Sequence, residues 1–459
     1  MLYPRFGLLI VSLLALGLCG EARAQTDLLA IFTAAEEMDP AYREAQATAL
    51  ASAEGIPQAK AALWLPRLAL SAGTSRVRQD IELKNAFGAG GLTYYMSRNY
   101  VVNLQQPIYH HDRIVALAQA DKRLQQAQIE VMLAHQDLML RVAERYFEVL
   151  ASRDTLAFAR AETESLQRQL EQAQQRFEVG LIAITDVQEA QAGFDRAQAG
   201  EISAQNDVEN ALEALRELTA SYHDDLMYLG EGVTLTQPEP QDIDAWTDTA
   251  LDHNLEVTAA QIGTEIAMEE IRLQKAQHLP TLDIVGSHGF SRQGGRFGSS
   301  KVDQSEIGVE LNLPIYEGGA TVSRTREAEH QHLAALERLE KARRAVHRET
   351  RQAYLGITSR ISSVKALAQA VVSSRTALDS TRAGFEVGTR TAVDVVAAER
   401  SLSQAQRDFA RARYDYILDT LRLKKAAGSL EPDDLVVANS WLTSASPDDS
   451  AAATPPATN

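Results

Sequence analysis

From Ile108 to Val179 the chain runs for 72 residues without a glycine or a proline, and Ala, Leu, Gln, Glu and Arg dominate. These are the strongest helix formers, and nothing in the run breaks or kinks a helix. At about 1.5 Å per residue, one continuous helix here is roughly 100 Å long. Ordinary globular helices have about 11–12 residues, so this run is not a piece of a compact domain. Its early turns carry a heptad seam, with Leu117, Leu124, Val131 and Leu138 at one position and Ala120, Ala127 and Ala134 at the other. Such a seam requires a partner helix, and alanine lets that partner approach closely.

The chain supplies partners by repeating itself. Phe177-Glu178-Val179-Gly180 returns 208 residues later as Phe385-Glu386-Val387-Gly388. Thr185-Asp186-Val187 returns as Val393-Asp394-Val395, Pro107-Ile108-Tyr109 as Pro314-Ile315-Tyr316, and Leu65-Pro66 as Leu279-Pro280. Four echoes in one order predict an internal duplication.

The first repeat is predicted over residues 25–229: a helix, strands at about 68–75 and 99–106, a long helix over 112–179 and a return helix over 186–219. Residues 230–240 read as a linker. The second repeat, 241–430, repeats the plan, with strands at about 282–290 and 305–313, a long helix over 320–382 and a return helix over 394–427. Residues 431–459, Ser/Ala/Pro/Thr-rich toward the end, are predicted to be a largely disordered tail. Residues 76–98 and 291–304 read as loops, and Pro107 as the end of its strand. Gly180 is a helix stop, and Asp186, or Thr185 before it, is the candidate N-cap of the return helix, as Asp394 is of its counterpart in the second repeat.

The chain has 459 residues, is 45% apolar and carries a net charge of −17, which excludes general disorder and argues against a nucleic-acid surface. Residues 1–24 read as a secretory signal: Arg5, an apolar run from Phe6 to Cys19, then the cleavage pattern Ala22-Arg23-Ala24. Cys19 is the only cysteine, so a chain cleaved after Ala24 begins at Gln25 and has no disulfide. The alternative is acylation of Cys19, although Leu18 is large for such a site. Past the signal no apolar run is long enough for a transmembrane helix. That leaves a barrel open.

Among the strands the alternation is cleanest at 305–313. Ile307, Val309, Leu311 and Leu313 line one face, and Glu306, Gly308, Glu310 and Asn312 the other. One face is dry and the other wet. Four strands cannot close a barrel, since the smallest outer-membrane barrels need about eight, and open edges in lipid are prohibitive. Membrane strands of this number therefore require several chains to share one barrel. The soluble alternative is a sheet packed on the helices, in a periplasmic coiled-coil adaptor or scaffold without a barrel. Tyr94, Tyr95, Tyr100, Phe290 and Tyr316 are candidates for an aromatic girdle or for core positions.

No enzyme signature is present. His110-His111-Asp112 and the pair His330 and His332 match no common metal-ligand spacing and read as solvated surface. The glycines at 286–298 lead from strand to strand rather than into a helix, so they form no phosphate cradle. No metal or cofactor is expected.

With this architecture, VGLIAITDVQEA (179–190), LPTLD (279–283), LPIYEGG (313–319) and VGTRTAVDV (387–395) resemble the TolC family of outer-membrane efflux and secretion channels, over Asp27 to Leu435. The resemblance implies a homotrimer with a shared 12-stranded outer-membrane barrel above an α-helical periplasmic tunnel of antiparallel coiled coils. It also implies a periplasmic adaptor (membrane fusion protein) and an inner-membrane pump of RND or ABC type. It makes Asp394 the pore constriction, with Ala397 where the family often has a second aspartate. Asp186, Thr185, Arg390 and Phe385 become the latch of the closed tip; Phe385 replaces a tyrosine and lacks its hydroxyl. Val179, Gly180, Leu181, Gly388 and Thr389 become the turns that an adaptor meets. The function implied is a passive export duct of a tripartite efflux or type I secretion system.

Overall fold

The computed structural model describes residues 25–82, 91–230, 232–295 and 298–444. The signal segment with Cys19 and the tail after residue 444 lie outside them. Three short helices open the chain: α1 (Leu28–Met38), α2 (Pro40–Ala53) and α3 (Gly55–Trp64). Strands β1 (Arg67–Ile81) and β2 (Gly91–Tyr109) follow, then the long helix α4 (His111–Glu178), the return helix α5 (Ile184–Thr219) and a two-residue strand β3 (Tyr228–Leu229). The pattern restarts with α6 (Ile243–His253), α7 (Leu255–Ala276), β4 (Thr281–Gln293) and β5 (Ser300–Asn312). A second long helix, α8 (Ala320–Glu386), leads to α9 (Ala392–Ala426), α10 (Pro432–Asn439) and β6 (Leu442–Thr443). The chain forms two compact units, each taking segments from both sequence repeats.

One unit comprises Glu44–Ala134 and Ala250–Arg348. Its centre is a four-stranded antiparallel sheet in the order β1-β2-β4-β5. Register puts Leu68, Leu104, Gly286 and Ile307 side by side on one face, and Leu70, Val102, His288 and Ser305 in the next row. The opposite face carries Asn103, Gln105, Ser287 and Glu306. The apolar face is bare: Leu68 is 69% exposed and Ile307 80%. β1 and β5 are unpaired along their outer edges among the described residues.

The strands overrun their predicted ends. Residues 76–81 and 91–98, read as loop, belong to β1 and β2, and of the loop predicted over 291–304, residues 291–293 belong to β4 and 300–304 to β5. The reason is physical: β1 carries Arg76, Arg78 and Asp80 opposite Met96, Tyr94 and Leu92 of β2, so the apolar face is interrupted on β1 and its alternation is lost while backbone pairing continues from Thr74↔Arg98 to Ile81↔Gly91. Pro107 does not end β2. The register shifts between Pro107 and Tyr109, and that irregularity absorbs the missing N–H. Tyr100 stacks on Phe290 at 5.5 Å on the apolar face, but Tyr95 pairs with Val77 on the polar one and Tyr316 lies outside any strand. Of the girdle candidates, Tyr94, Tyr100 and Phe290 share the apolar face.

His110 is not solvated surface. It is 7% exposed, and its Nε2 contacts both carboxylate oxygens of Asp283 at 3.1 Å, tying the β2–α4 junction to β4. The local sequence gave no sign of it, because the partner lies 173 residues away.

The other unit comprises Met1–Arg43, His135–Thr249 and Glu349–Asn459. Its core gathers Leu28, Ile31, Leu138, Tyr146, Phe147 and Tyr416, all under 2% exposed. Tyr146 donates to the Thr26 and Met227 carbonyls, and Tyr416 to the Thr236 carbonyl. The described part of the predicted tail is ordered. α10 opens with Pro at its first turn, Asn439 bonds both the Leu28 N–H and Asp27, and β6 pairs with β3. The disorder predicted from residue 431 fails there because Leu435 and Ala438 are buried, which outweighs a polar composition.

Candidate functional site

The turns that join each long helix to its return helix are built alike, and both lie in the second of these units. At the first, α4 ends at Glu178 and Gly180 takes φ +74°, a left-handed value that favours glycine. Its N–H reaches the Phe177 carbonyl at 2.9 Å, and the Leu181 N–H reaches the Arg176 carbonyl at 2.9 Å. At the second, Gly388 takes φ +78°, and the Thr389 N–H donates to the Gly384 carbonyl at 2.8 Å. These glycine turns satisfy the last carbonyls of two helices. They also leave Val179, Leu181 and Val387 at least 70% exposed.

The two aspartates do not sit where spacing placed them. α5 begins after Ala183, and Asp186 is its third residue, where the carboxylate accepts the Ala183 N–H at 3.2 Å. Thr391, not Asp394, caps α9. The Thr391 hydroxyl accepts the Asp394 N–H at 3.3 Å and donates to the Asp394 carboxylate, which also accepts the Thr391 N–H at 2.9 Å. This is a complete capping box. At the first turn Ala183 has no hydroxyl, so only the carboxylate half is present. The Thr391 backbone N–H, then its hydroxyl, and then the charge of Arg390 hold the Asp394 carboxyl below the usual carboxylate range. Asp394 is therefore a fixed anion beside an exposed turn.

Arg390 lies against Gly384, where an added Cβ would meet the Arg390 Cγ at 2.8 Å. Within one chain no hydrogen bond or ion pair joins Arg390 to Asp186 or Thr185 among the described residues. The ring of Phe385 instead receives Arg176, whose guanidinium carbon is 5.1 Å from the ring centroid. Sequence reasoning missed Arg176. The signal was in the repeat: Arg176 precedes Phe177, whereas Gly384 precedes Phe385, so the two echoes part at that residue.

Behind the turns, Leu170, Ala173 and Ala190 form a small core closed by Ile182, Val187 and Phe194. Higher up, the carboxylate of buried Glu399 accepts bonds from Ser165, at 2.6 Å, and from Arg382. Gln169 donates to the Ala392 carbonyl at 3.3 Å. These polar ties fix α4, α8 and α9 together, so the two turns are held as a pair. Among the described residues no group of His, Cys, Asp or Glu is arranged to hold a metal ion.

The chain matches the family model described as "Outer membrane efflux protein" twice, over residues 32–221 and 246–429. It is 37% identical over 434 residues to "Outer membrane protein TolC" of Vibrio cholerae, covering 93% of this chain and 96% of that protein. It is 30% identical over 423 residues to "Alkaline protease secretion protein AprF" of Pseudomonas aeruginosa, covering 90% of this chain and 86% of that protein. The fold matches the CmeC outer membrane channel of Campylobacter jejuni with a TM-score of 0.72 at 17% identity, over 92% of this chain and 91% of that one. A scaffold lacking membrane strands is set aside by the sheet and by these likenesses together. The chain belongs to the outer membrane efflux protein family, a family of channels rather than enzymes, and is an outer-membrane export duct that extends into the periplasm.

Proposed function

We propose that three copies of this chain close one barrel, each lending its four strands to make twelve, and that the helices continue the duct into the periplasm. One observation carries this reading: a four-stranded sheet with two open edges and a bare apolar face. Neither edge can stay unpaired in hydrocarbon, and four strands cannot seal themselves. The exposed Leu50, Ile202, Leu355 and Val372 support the same reading, as large apolar side chains left in water along the helices of a single protomer.

In this reading Asp394 lines the narrowest point, where three symmetry-related carboxylates attract cations and repel anions. Asp186, Thr185, Arg390 and Phe385 latch the closed tip. Among the described residues the Arg390 side chain makes no hydrogen bond or ion pair within its own chain, so in this reading its bond to Asp186 runs to a neighbouring protomer. A charge-assisted bond of that kind is the stronger sort. Val179, Gly180, Leu181, Gly388 and Thr389 present the turns to a periplasmic adaptor, and an inner-membrane pump of RND or ABC type powers export. The duct itself is passive and serves drug efflux or type I secretion.

The test is electrophysiological. Purified protein should run as a trimer in detergent and give a small resting conductance in planar bilayers. Arg390→Ala or Asp186→Ala should raise that conductance. Currents at the wild-type level in both variants would remove the latch, and a monomer that never enters liposomes would remove the barrel.

A further inference from the structure

The apolar face of the sheet is crossed by a row of positive charge, beyond which only β1 and β2 continue that face, with Met96, Tyr94 and Leu92 on β2. Register sets Arg98 of β2 beside Arg292 of β4, and Arg292 beside Lys301 of β5. Neighbouring strands are about 4.8 Å apart, so three cations stand within roughly 10 Å on one face. All three side chains are exposed, and among the described residues none forms an ion pair. Like charges directly across a strand pair are destabilising. The arrangement recurs across two strand pairs in a chain whose net charge is −17, so an excess of basic residues does not account for it. Arg76 and Arg78 extend the belt on β1, on the same face as Tyr94 and Met96. The carboxylates facing it, Asp80 and Asp303, are fewer, and Asp303 sits 3.9 Å from His288.

In the barrel reading, the belt marks where hydrocarbon stops. The next row toward the helices holds the stacked pair Tyr100 and Phe290, and the Lys301 ammonium lies 5.5 Å from the Phe290 ring centroid. Aromatic rings followed by basic heads are what a barrel surface presents at a membrane–water boundary. The belt lies at the hairpin end of the strands, away from the starts of α4 and α8. With the helices in the periplasm, that end meets the outer leaflet.

We propose that Arg98, Arg292 and Lys301 form a docking surface for the phosphate groups of outer-leaflet lipid, holding phosphorylated headgroups against the barrel. The chemistry suits phosphate: guanidinium forks bind it in bidentate fashion, and the lysine adds a point charge. Phosphates would also relieve the cross-strand repulsion, so the bound lipid stabilises the sheet that attracts it. This inference rests on the barrel reading above.

The test uses the full-length protein in detergent, titrated with lipid A bearing both phosphates, with dephosphorylated lipid A, and with inorganic phosphate. The phosphorylated lipid should raise the temperature at which the oligomer dissociates and bind about tenfold or more tighter than its dephosphorylated form. R98Q/R292Q/K301Q should abolish that preference, while R98K/R292K should keep much of it. Equal binding of the two lipids would mean hydrocarbon contact alone and overturn the proposal, as would an undiminished preference in the triple variant. A shift reproduced by inorganic phosphate would make this a free-anion site and overturn it too. The comparison of lipids on the wild-type protein decides the matter even if the triple variant misfolds. Insertion into planar bilayers is scored separately: a channel that inserts normally without lipid preference leaves the barrel standing, and one that never inserts removes both.

Discussion

The guanidinium of Arg176, in the last turn of α4, lies over the ring of Phe385 in the last turn of α8, 5.1 Å from its centroid. The pair joins the ends of the two long helices within one protomer. It does so with residues that are one repeat and one position apart, since the counterpart of Arg176 is Gly384. A phenylalanine cannot donate a hydrogen bond, but its ring face attracts a cation. That attraction joins the ends of α4 and α8.

Arg176→Ala should loosen the closed tip. A partly exposed cation–π contact contributes about 0.5–1 kcal/mol, which corresponds to roughly a two- to fivefold rise in the open fraction. Single-channel recording reads it as a higher resting open probability, and Arg176→Lys should restore part of the closure. An Ala variant with wild-type gating would mean the contact is incidental.

Gly384→Ala should open the tip by a different route. The added methyl would meet the Arg390 Cγ at 2.8 Å and the Thr389 Oγ1 at 3.2 Å, so the Arg390 side chain has to move. The expected result is a leak comparable to that of Arg390→Ala, with trimer stability in detergent nearly unchanged. Gly356→Ala, whose Cβ meets nothing within 4 Å, serves as the control.

Asp394 should keep its charge into acid. Its pKa is lowered in the folded state, so whatever its cap contributes is present above the unfolded value and is lost as pH falls through the folded one. Block of the channel by a multivalent cation should therefore persist below the pH at which an ordinary carboxylate protonates. Thr391→Val removes the hydroxyl donor and should move the midpoint upward. If Asp394→Asn blocks as well as wild type, Asp394 does not line the narrow point.

Tyr414 donates to Asp154 at 2.6 Å in the core between α4 and α9. Burial pushes the Asp154 carboxyl up, opposed by the Tyr414 bond and then by the charge of Arg413. Tyr414→Phe leaves that carboxylate without its donor, at about 1–3 kcal/mol near neutral pH. A raised carboxyl pKa means the penalty shrinks as pH falls and the group protonates. Thermal unfolding of the two proteins should thus differ most at neutral pH and converge in acid.

How much of this was written in the chain can be judged residue by residue. The helices α4 and α8 followed from uninterrupted runs of helix formers, because propensity accumulates over tens of residues. The glycine turns followed from Gly180 and Gly388, since a left-handed residue ending a helix is a local matter. The dry face of β5 followed from a period of two. Helix starts were less legible. Asp186 and Asp394 were placed as caps, but an acid at the third position reaches back to the cap with almost the same spacing. Strand ends were lost where Arg76, Arg78 and Asp80 interrupt the apolar face of β1.

Tertiary structure alone decided which residues from the two repeats meet. Nothing near His110 points to Asp283, the repeat marks Arg176 as an exception without showing that it meets Phe385, and the row of Arg98, Arg292 and Lys301 exists only once three strands are in register. Sequence periodicity dictates which face of an element is apolar, because that depends on the local backbone repeat. Partnership between distant residues depends on register and helix packing, which no local pattern encodes.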